Sequence, residues 1–150
     1  MEKIQAVIGK GFAPAVIPLI AGAEHSISIL VFDWRWYPNE PSSPVQLFNQ
    51  AIIQAKRRGI KVRALVNMRD IVGQLRELGI DCRKVIGKDL LHSKLIIIDE
   101  KIVVVGSHNF TQSAFGKNFE CSVITTDEAT VSAFNDYFEI IFNYHGEGKA

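Results

Sequence analysis

The stretch LHSKLIIIDEKIVVVGSHNF, residues 91–110, carries a histidine and a lysine at one end and a serine and an asparagine at the other. Two apolar, β-branched runs lie between. His92, Lys94, Ser107 and Asn109 would supply one imidazole, one fixed cation, one hydroxyl and one carboxamide. A cation among neutral donors suits an oxyanion such as phosphate. It does not suit Mg²⁺ or Ca²⁺, which want carboxylate oxygens, so no metal site is expected. A neutral imidazole beside a phosphate can attack phosphorus, and a protonated one can release an alkoxide. Taken singly, a His and a Lys at a strand end are a solvated edge, and Ser and Asn after a glycine are a turn. Their joint arrangement is what points to chemistry.

The elements that position these groups follow from spacing. Lys94–Ile98 and Ile102–Gly106 flank Asp99-Glu100-Lys101, which predicts a tight β-hairpin with Asp99 making a local side-chain turn bond. In an antiparallel hairpin, paired residue numbers sum to a constant. A turn at Glu100-Lys101 gives 201 and sets His92 opposite Asn109; a turn at Asp99-Glu100 gives 199 and sets His92 opposite Ser107. In both registers the four polar groups gather at the open end. Side-chain alternation puts His92 with Lys94 on one face, and Ser107 with Asn109. Gly106 would let the backbone approach a ligand or bend at the strand end.

His92-x-Lys94, four residues, Asp99, six residues, then Gly106-Ser107-x-Asn109 resembles the HKD signature of the phospholipase D superfamily at every spacing. The likeness extends over nearly the whole chain. The element order is similar to that of short single-motif members, the bacterial non-specific endonucleases and their relatives in small-RNA pathways. The resemblance implies phosphodiester cleavage in two displacements, without metal or cofactor. Histidine attacks phosphorus to form a phosphohistidine, and water then releases it. It further implies that two HKD motifs build one site, which small members supply as a homodimer. On this reading His92, Lys94, Ser107 and Asn109 are catalytic, with the last three also holding the non-bridging oxygens. Asp99 and Gly106 are structural parts of the motif. Glu120, in GKNFE, matches a family carboxylate that orients the histidine, and Asn118 would support it. The other histidines do not complete a second motif: His25 lacks a lysine two residues on, His108 lies inside the GSxN element, and His145 is near the tail.

The substrate is less strongly marked. Net charge is +1, so a nucleic acid, DNA or RNA, must be held by local basic patches. KRRGIKVR (residues 56–63) is the densest basic run, and Arg83, Lys84, Lys88 and Lys117 flank the motif. FDWRWYP puts Trp34, Arg35, Trp36 and Tyr37 in a loop after a central strand, where loops of α/β sheets often border the site. Aromatics there could stack unpaired bases, line a lipid pocket or pack the loop. Trp34, Arg35 and Lys117 are therefore expected substrate contacts. Lipid phosphodiester chemistry and a non-catalytic nucleic-acid-binding dimer are the alternatives.

The remaining pattern predicts one α/β domain over residues 1–150, with a mixed β-sheet flanked by helices. Strands are expected at IQAVI, HSISILVFDW, KVRALVN, CRKVI and ECSVITT. A helix over 13–21 contains Pro14 and Pro18. Ser43, Pro44 and Gln46 form a capping-box start for a helix whose stripe is Val45, Phe48, Ile52 and Ala55, with Gly59 after its end. Asp70 would cap a short helix ending at Gly79. Thr125 and Glu128 would cap a last helix carrying Val131, Phe134, Phe138, Ile141 and Phe142. Cys82 and Cys121 lack zinc spacing and read as two small core thiols. The uncharged run GFAPAVIPLIAGA imitates a signal peptide, with Lys3 and Lys10 nearby and an A-x-A at residues 21–23. Glu2, Glu24 and the two prolines argue against cleavage, and thirteen residues are too few to span a bilayer, so no stable membrane insertion is expected. The chain as written reads as cytoplasmic; a signal trimmed from a longer precursor would make it periplasmic or secreted.

Overall fold

The computed structural model describes residues 3–146; Glu2 lies outside them. Seven strands form one sheet: β1 (Ile4–Ile8), β2 (Ser26–Val31), β3 (Lys61–Val66), β4 (Asp81–Lys84), β5 (Lys94–Ile98), β6 (Ile102–Gly106) and β7 (Cys121–Thr125). Their order is β1-β7-β6-β5-β2-β3-β4. The pairs β2/β3 and β3/β4 are parallel, and the others are antiparallel. The sheet is mixed, as its strand and helix order predicts.

Period-2 alternation divides the sheet's side chains between two layers. Ile27, Ile29, Val31, Ile96, Ile98 and Val104 face helices α1 (Phe12–Ala21), α2 (Pro44–Arg57), α3 (Val72–Glu77) and α4 (Gln112–Gly116). Leu30, Leu65, Leu95, Ile97 and Val103 face α5 (Glu128–Tyr144), which buries Val131, Phe138 and Phe142 against them. The central strand β5 is buried along its whole length, which is why LIII shows no alternation of polarity. The signal-like run is α1, with Phe12, Ala13, Val16 and Ile20 in the core. No helix among the described residues is long and apolar enough to cross a membrane.

Several local expectations are corrected by side-chain geometry. Ser43 precedes α2, but its hydroxyl donates to the Glu40 carbonyl. Gln46 forms no capping box; its Oε1 turns inward and accepts from the Tyr37 amide and the Asn49 carboxamide. Asp70 lies in a 3₁₀ turn and caps nothing, because α3 starts after Ile71. Asp127, not Thr125, caps α5, accepting from the Thr130 amide at 3.1 Å. Cys82 is a core thiol whose burial pushes its pKa up to about 12, whereas Cys121 is exposed.

Three arginines of the predicted basic patches are structural. Arg58 donates to the carbonyls of Ile20 and Ala23 at the end of α1. Arg63 binds Glu139 at 2.6 Å and lies 4.9 Å from the Phe138 ring centre. Arg83 lies 3.7 Å from the Phe142 ring centre and donates to the Phe142 carbonyl. These guanidiniums hold α1 and α5 rather than form a groove.

Asp99 has the most consequential structural role. It sits at φ 56 in the β5–β6 turn, and its carboxylate accepts from the amides of Glu24, His25 and Ser26 at 2.7–3.1 Å. The expected local turn bond is replaced by a tie to the start of β2. Burial works against the charge, yet these amides hold the carboxyl below its ordinary range. A depressed folded-state value stabilises the fold above the unfolded pKa, near 4, and that contribution disappears as pH falls through the folded one. Asp99→Asn, which tolerates the left-handed backbone, should therefore cost about 2 kcal/mol at pH 7. The gap should narrow as pH falls below about 4 and close once the folded-state carboxyl is protonated. Urea melts of both proteins across that range test this; a gap that is constant in acid would sink it.

Candidate active site

The hairpin register differs from both expectations. Ile98 pairs with Ile102 and Leu95 with Val105, so paired numbers sum to 200 and the turn has three residues. Asp99 and Glu100 both take positive φ, 56 and 55, which closes that turn. Extended one pair further, this register sets Lys94 opposite Gly106 rather than Ser107. Ser107 and Asn109 join the site because the chain leaves the strand after Gly106.

Lys94 is 8% exposed, and its Nζ lies 3.0 Å from His92 Nδ1 and 3.3 Å from Nε2. An ammonium only donates, so the imidazole nitrogen it meets accepts and must be unprotonated. The ring is then neutral, as a nucleophile must be, but its one nitrogen lone pair is held by Lys94 and can attack phosphorus only once that bond is released. Burial lowers the Lys94 pKa, and the charge of Glu120 pulls it back up. Phe32, just past β2, sits under both groups: its ring centre is 5.2 Å from the His92 ring and 5.7 Å from Lys94 Nζ. His92 itself is exposed.

Ser107 and Glu120 form the second half of the cluster. The Ser107 hydroxyl donates to Glu120 Oε1 at 2.6 Å and accepts from the Cys121 amide at 3.0 Å. Glu120 Oε2 accepts from Asn118 at 3.1 Å, which gives Asn118 the supporting place expected of it. Both carboxylate oxygens are thus directed at Ser107 and Asn118, not at His92. Glu120 reaches the histidine's side of the cluster through its charge on Lys94. Within the chain Glu120 thus meets Ser107 and Asn118, and orienting a histidine is a role for it only in a site shared with a second chain. Asn109 Oδ1 accepts from the Asp33 amide at 3.1 Å, which leaves its amide N–H groups to offer a ligand. Asp33 and Phe32 are the site residues missed from sequence. Asp33 enters through its main chain, which residue type does not signal.

Gly106 is required by the neighbouring strand, not by a ligand. A Cβ there would lie 2.3 Å from Ser122 Oγ and 2.4 Å from the Cys121 carbonyl.

Of the expected substrate contacts, Trp34 is excluded. It is 1% exposed, packs edge-on to Phe48 and Phe110, and donates its indole N–H to Asn49 at 2.7 Å. A ring buried on all sides offers no face to a base. Arg35 is exposed and ion-paired with Asp33 at 3.1 Å. It lines a cleft of about 170 Å³ with Trp36, Met68, Asp70 and Gln74. Lys117 is exposed just before Asn118 and Glu120.

Fold and site together define an α/β domain that presents a lysine-backed histidine and a set of hydrogen-bonding groups at one end of a mixed sheet. The profile of the family described as cardiolipin synthase, PLD-like domain, matches residues 16–142. The chain belongs to that family, within the phospholipase D superfamily. It is 38% identical over 96 residues to a phospholipase D of Rickettsia conorii, covering 59% of this chain and 47% of that one. It is 29% identical over 134 residues to the mitochondrial cardiolipin hydrolase of Xenopus laevis, covering 85% of this chain and 59% of that one. The chain thus spans about half the length of these curated relatives. Its fold is similar to that of Nuc from Salmonella typhimurium, a phospholipase D family member, with a TM-score of 0.76 at 24% identity over 93% of this chain and 95% of that one.

Gly106→Ala should destabilise the protein by about 1–3 kcal/mol, because the new methyl has no room against β7. Chemical denaturation measures this, and an unchanged midpoint would refute the close-approach explanation.

Proposed function

We propose that this chain is a phosphodiesterase that hydrolyses nucleic-acid phosphodiester bonds, DNA or RNA, without a metal and without base specificity, as an endonuclease. The observation that carries the reading is the contact of Lys94 Nζ with the His92 ring at 3.0 Å, beside the Ser107–Glu120 pair. Unprotonated His92 attacks phosphorus and the leaving alkoxide departs; water then attacks the phosphohistidine and restores the imidazole. Lys94 and the Asn109 amide balance the charge that develops on the non-bridging oxygens. The Ser107 proton is engaged by Glu120, so Ser107 contributes by fixing that carboxylate unless its hydroxyl turns toward the substrate.

Attack and departure need a base-form nucleophile on one side of phosphorus and a proton donor on the other. The sequence holds one HKD signature, so a second copy of the chain supplies the second histidine in this reading. The two imidazoles then titrate as a coupled pair. Nucleic acid is favoured over acyl chains because the cleft beside Asp33, lined by Arg35, Asp70 and Gln74 as well as Trp36, Met68 and Ile71, is no continuous apolar channel. With Arg35 paired to Asp33, holding phosphate falls to Lys94 and the exposed Lys117. A lipid phosphodiester is the second reading. It is supported by the names of the relatives, a phospholipase D and a cardiolipin hydrolase.

Labelled single-stranded DNA, duplex DNA, RNA and vesicles of phosphatidylcholine or cardiolipin, each incubated with EDTA, separate the two readings. Nucleic-acid cleavage should persist in EDTA and fall by about a thousandfold or more in His92→Ala. Cleavage that EDTA abolishes would refute the metal-free route, and turnover confined to vesicles would transfer the site to lipid. Sedimentation should find a dimer; an active monomer would remove the shared site.

A further inference from the structure

The GSxN element holds a histidine in its variable position, and the proposed reaction gives it no task. His108 is 1% exposed, and both of its ring nitrogens are engaged. Nε2 lies 2.9 Å from the Gly9 carbonyl oxygen and Nδ1 lies 2.7 Å from Ser122 Oγ. A carbonyl only accepts, so Nε2 carries the proton and Nδ1 accepts from the serine hydroxyl. The ring stacks on Phe12 with centres 4.4 Å apart. Burial lowers the His108 pKa, against the opposing effects of the Gly9 carbonyl and the Glu120 charge, which keeps the ring in this neutral form.

The partners of His108 lead back to the cluster. Gly9, at φ 51, donates its own amide to the Glu120 carbonyl at 2.8 Å while its carbonyl receives the His108 proton. Glu120 accepts from Ser107, the residue before His108. A closed circuit therefore runs from His108 through Gly9 and Glu120 to Ser107 and back along the chain. Ser122, on the other nitrogen, follows Cys121, whose amide donates to Ser107. Asn109, on the far side of His108, accepts from the Asp33 amide.

We propose that His108 is a positioning residue: through Gly9 and Ser122 it fixes Ser107, Asn109 and Glu120 relative to one another at the active site. This rests on the phosphodiesterase reading for its effect on turnover, but its geometric part stands apart from it. Buried polar circuits of this kind lock the groups they join when every member is satisfied. His108→Phe keeps a ring against Phe12 and removes both hydrogen bonds; the Gly9 carbonyl retains the Phe12 amide. His108→Gln keeps one donor and one acceptor.

Two measurements test the inference. Amide hydrogen exchange at Cys121 and Asp33 reads the placement of Ser107 and Asn109 without reference to activity. Turnover of a chromogenic bis-aryl phosphodiester reads its consequence. In H108F, exchange at both amides should rise about tenfold, with core amides of β2 and β5 unchanged. The kcat should fall about tenfold with KM within about twofold, and H108Q should recover most of both losses. If H108F does not fold, Gly9→Ala is the second variant. Its Cβ meets open space, but φ 51 strains it, and the same two amides should loosen. A folded H108F, or G9A in its place, with unchanged exchange at both amides overturns the proposal, as does a kcat loss that H108Q fails to recover. Looser amides in a protein whose wild type turns over no phosphodiester would support the positioning circuit and reject the phosphodiesterase reading.

Discussion

Three amides at the start of β2 converge on the carboxylate of Asp99, and the placement of the active-site groups depends on that tie. It fixes the closed end of the β5–β6 hairpin against the neighbouring strand. A strand has one register, so what is fixed at one end is fixed at the other, about 17 Å away over five residues. At that other end lie Lys94 and Gly106, where the functional groups begin. A one-residue slip would turn Lys94 to the opposite face of the sheet. The aspartate of the signature thus acts at a distance from the chemistry, by choosing which face the lysine takes.

The charges of the chain divide into those that hold the fold and those left to the site. Arg58, Arg63 and Arg83 are committed to helix ends and to the aromatic face of α5. Arg63 and Arg83 also carry carboxylate partners, Glu139 and Asp81. Lys94 differs: it is nearly buried, its contact is an imidazole, and its nearest compensating charge is Glu120. A cation with incomplete compensation in a partly dry site attracts an anion more strongly than one in water. This contrast, rather than the net charge of the chain, is what makes the cluster a phosphate site in the proposed reaction.

The groups around His92 are already oriented. Ser107 and Glu120 hold each other, Asn109 is set by the Asp33 amide, and Phe32 supports both His92 and Lys94. Donors that need no reorganisation as charge develops are those that lower a barrier most. The supporting residues come from the segment just past β2, the β6–β7 connection and the turn after β1, three segments far apart in sequence.

The sequence by itself indicated most of the element order, without the short helix α4, and gathered His92, Lys94, Ser107 and Asn109 at one hairpin end, because periodicity and spacing are local properties; Glu120 joined them only through the family resemblance. The sequence also placed Asp99 in a turn and Gly106 at a strand end. Only the tertiary structure decided what these residues touch. The turn's third residue, which shifts the register to 200, depends on Asp99 finding amides 73–75 residues away. Trp34 looked like a stacking platform because aromatic residues in loops and in cores are the same letters; Phe48, Phe110 and Asn49 decided between them. Ser43, Gln46 and Thr125 match capping patterns, yet longer-range partners or a neighbouring Asp127 compete for the same hydrogen bonds. Glu120 and His108 show the limit most clearly. A carboxylate and an imidazole can each bind several groups, and which they bind is set by the backbone that the fold brings past them.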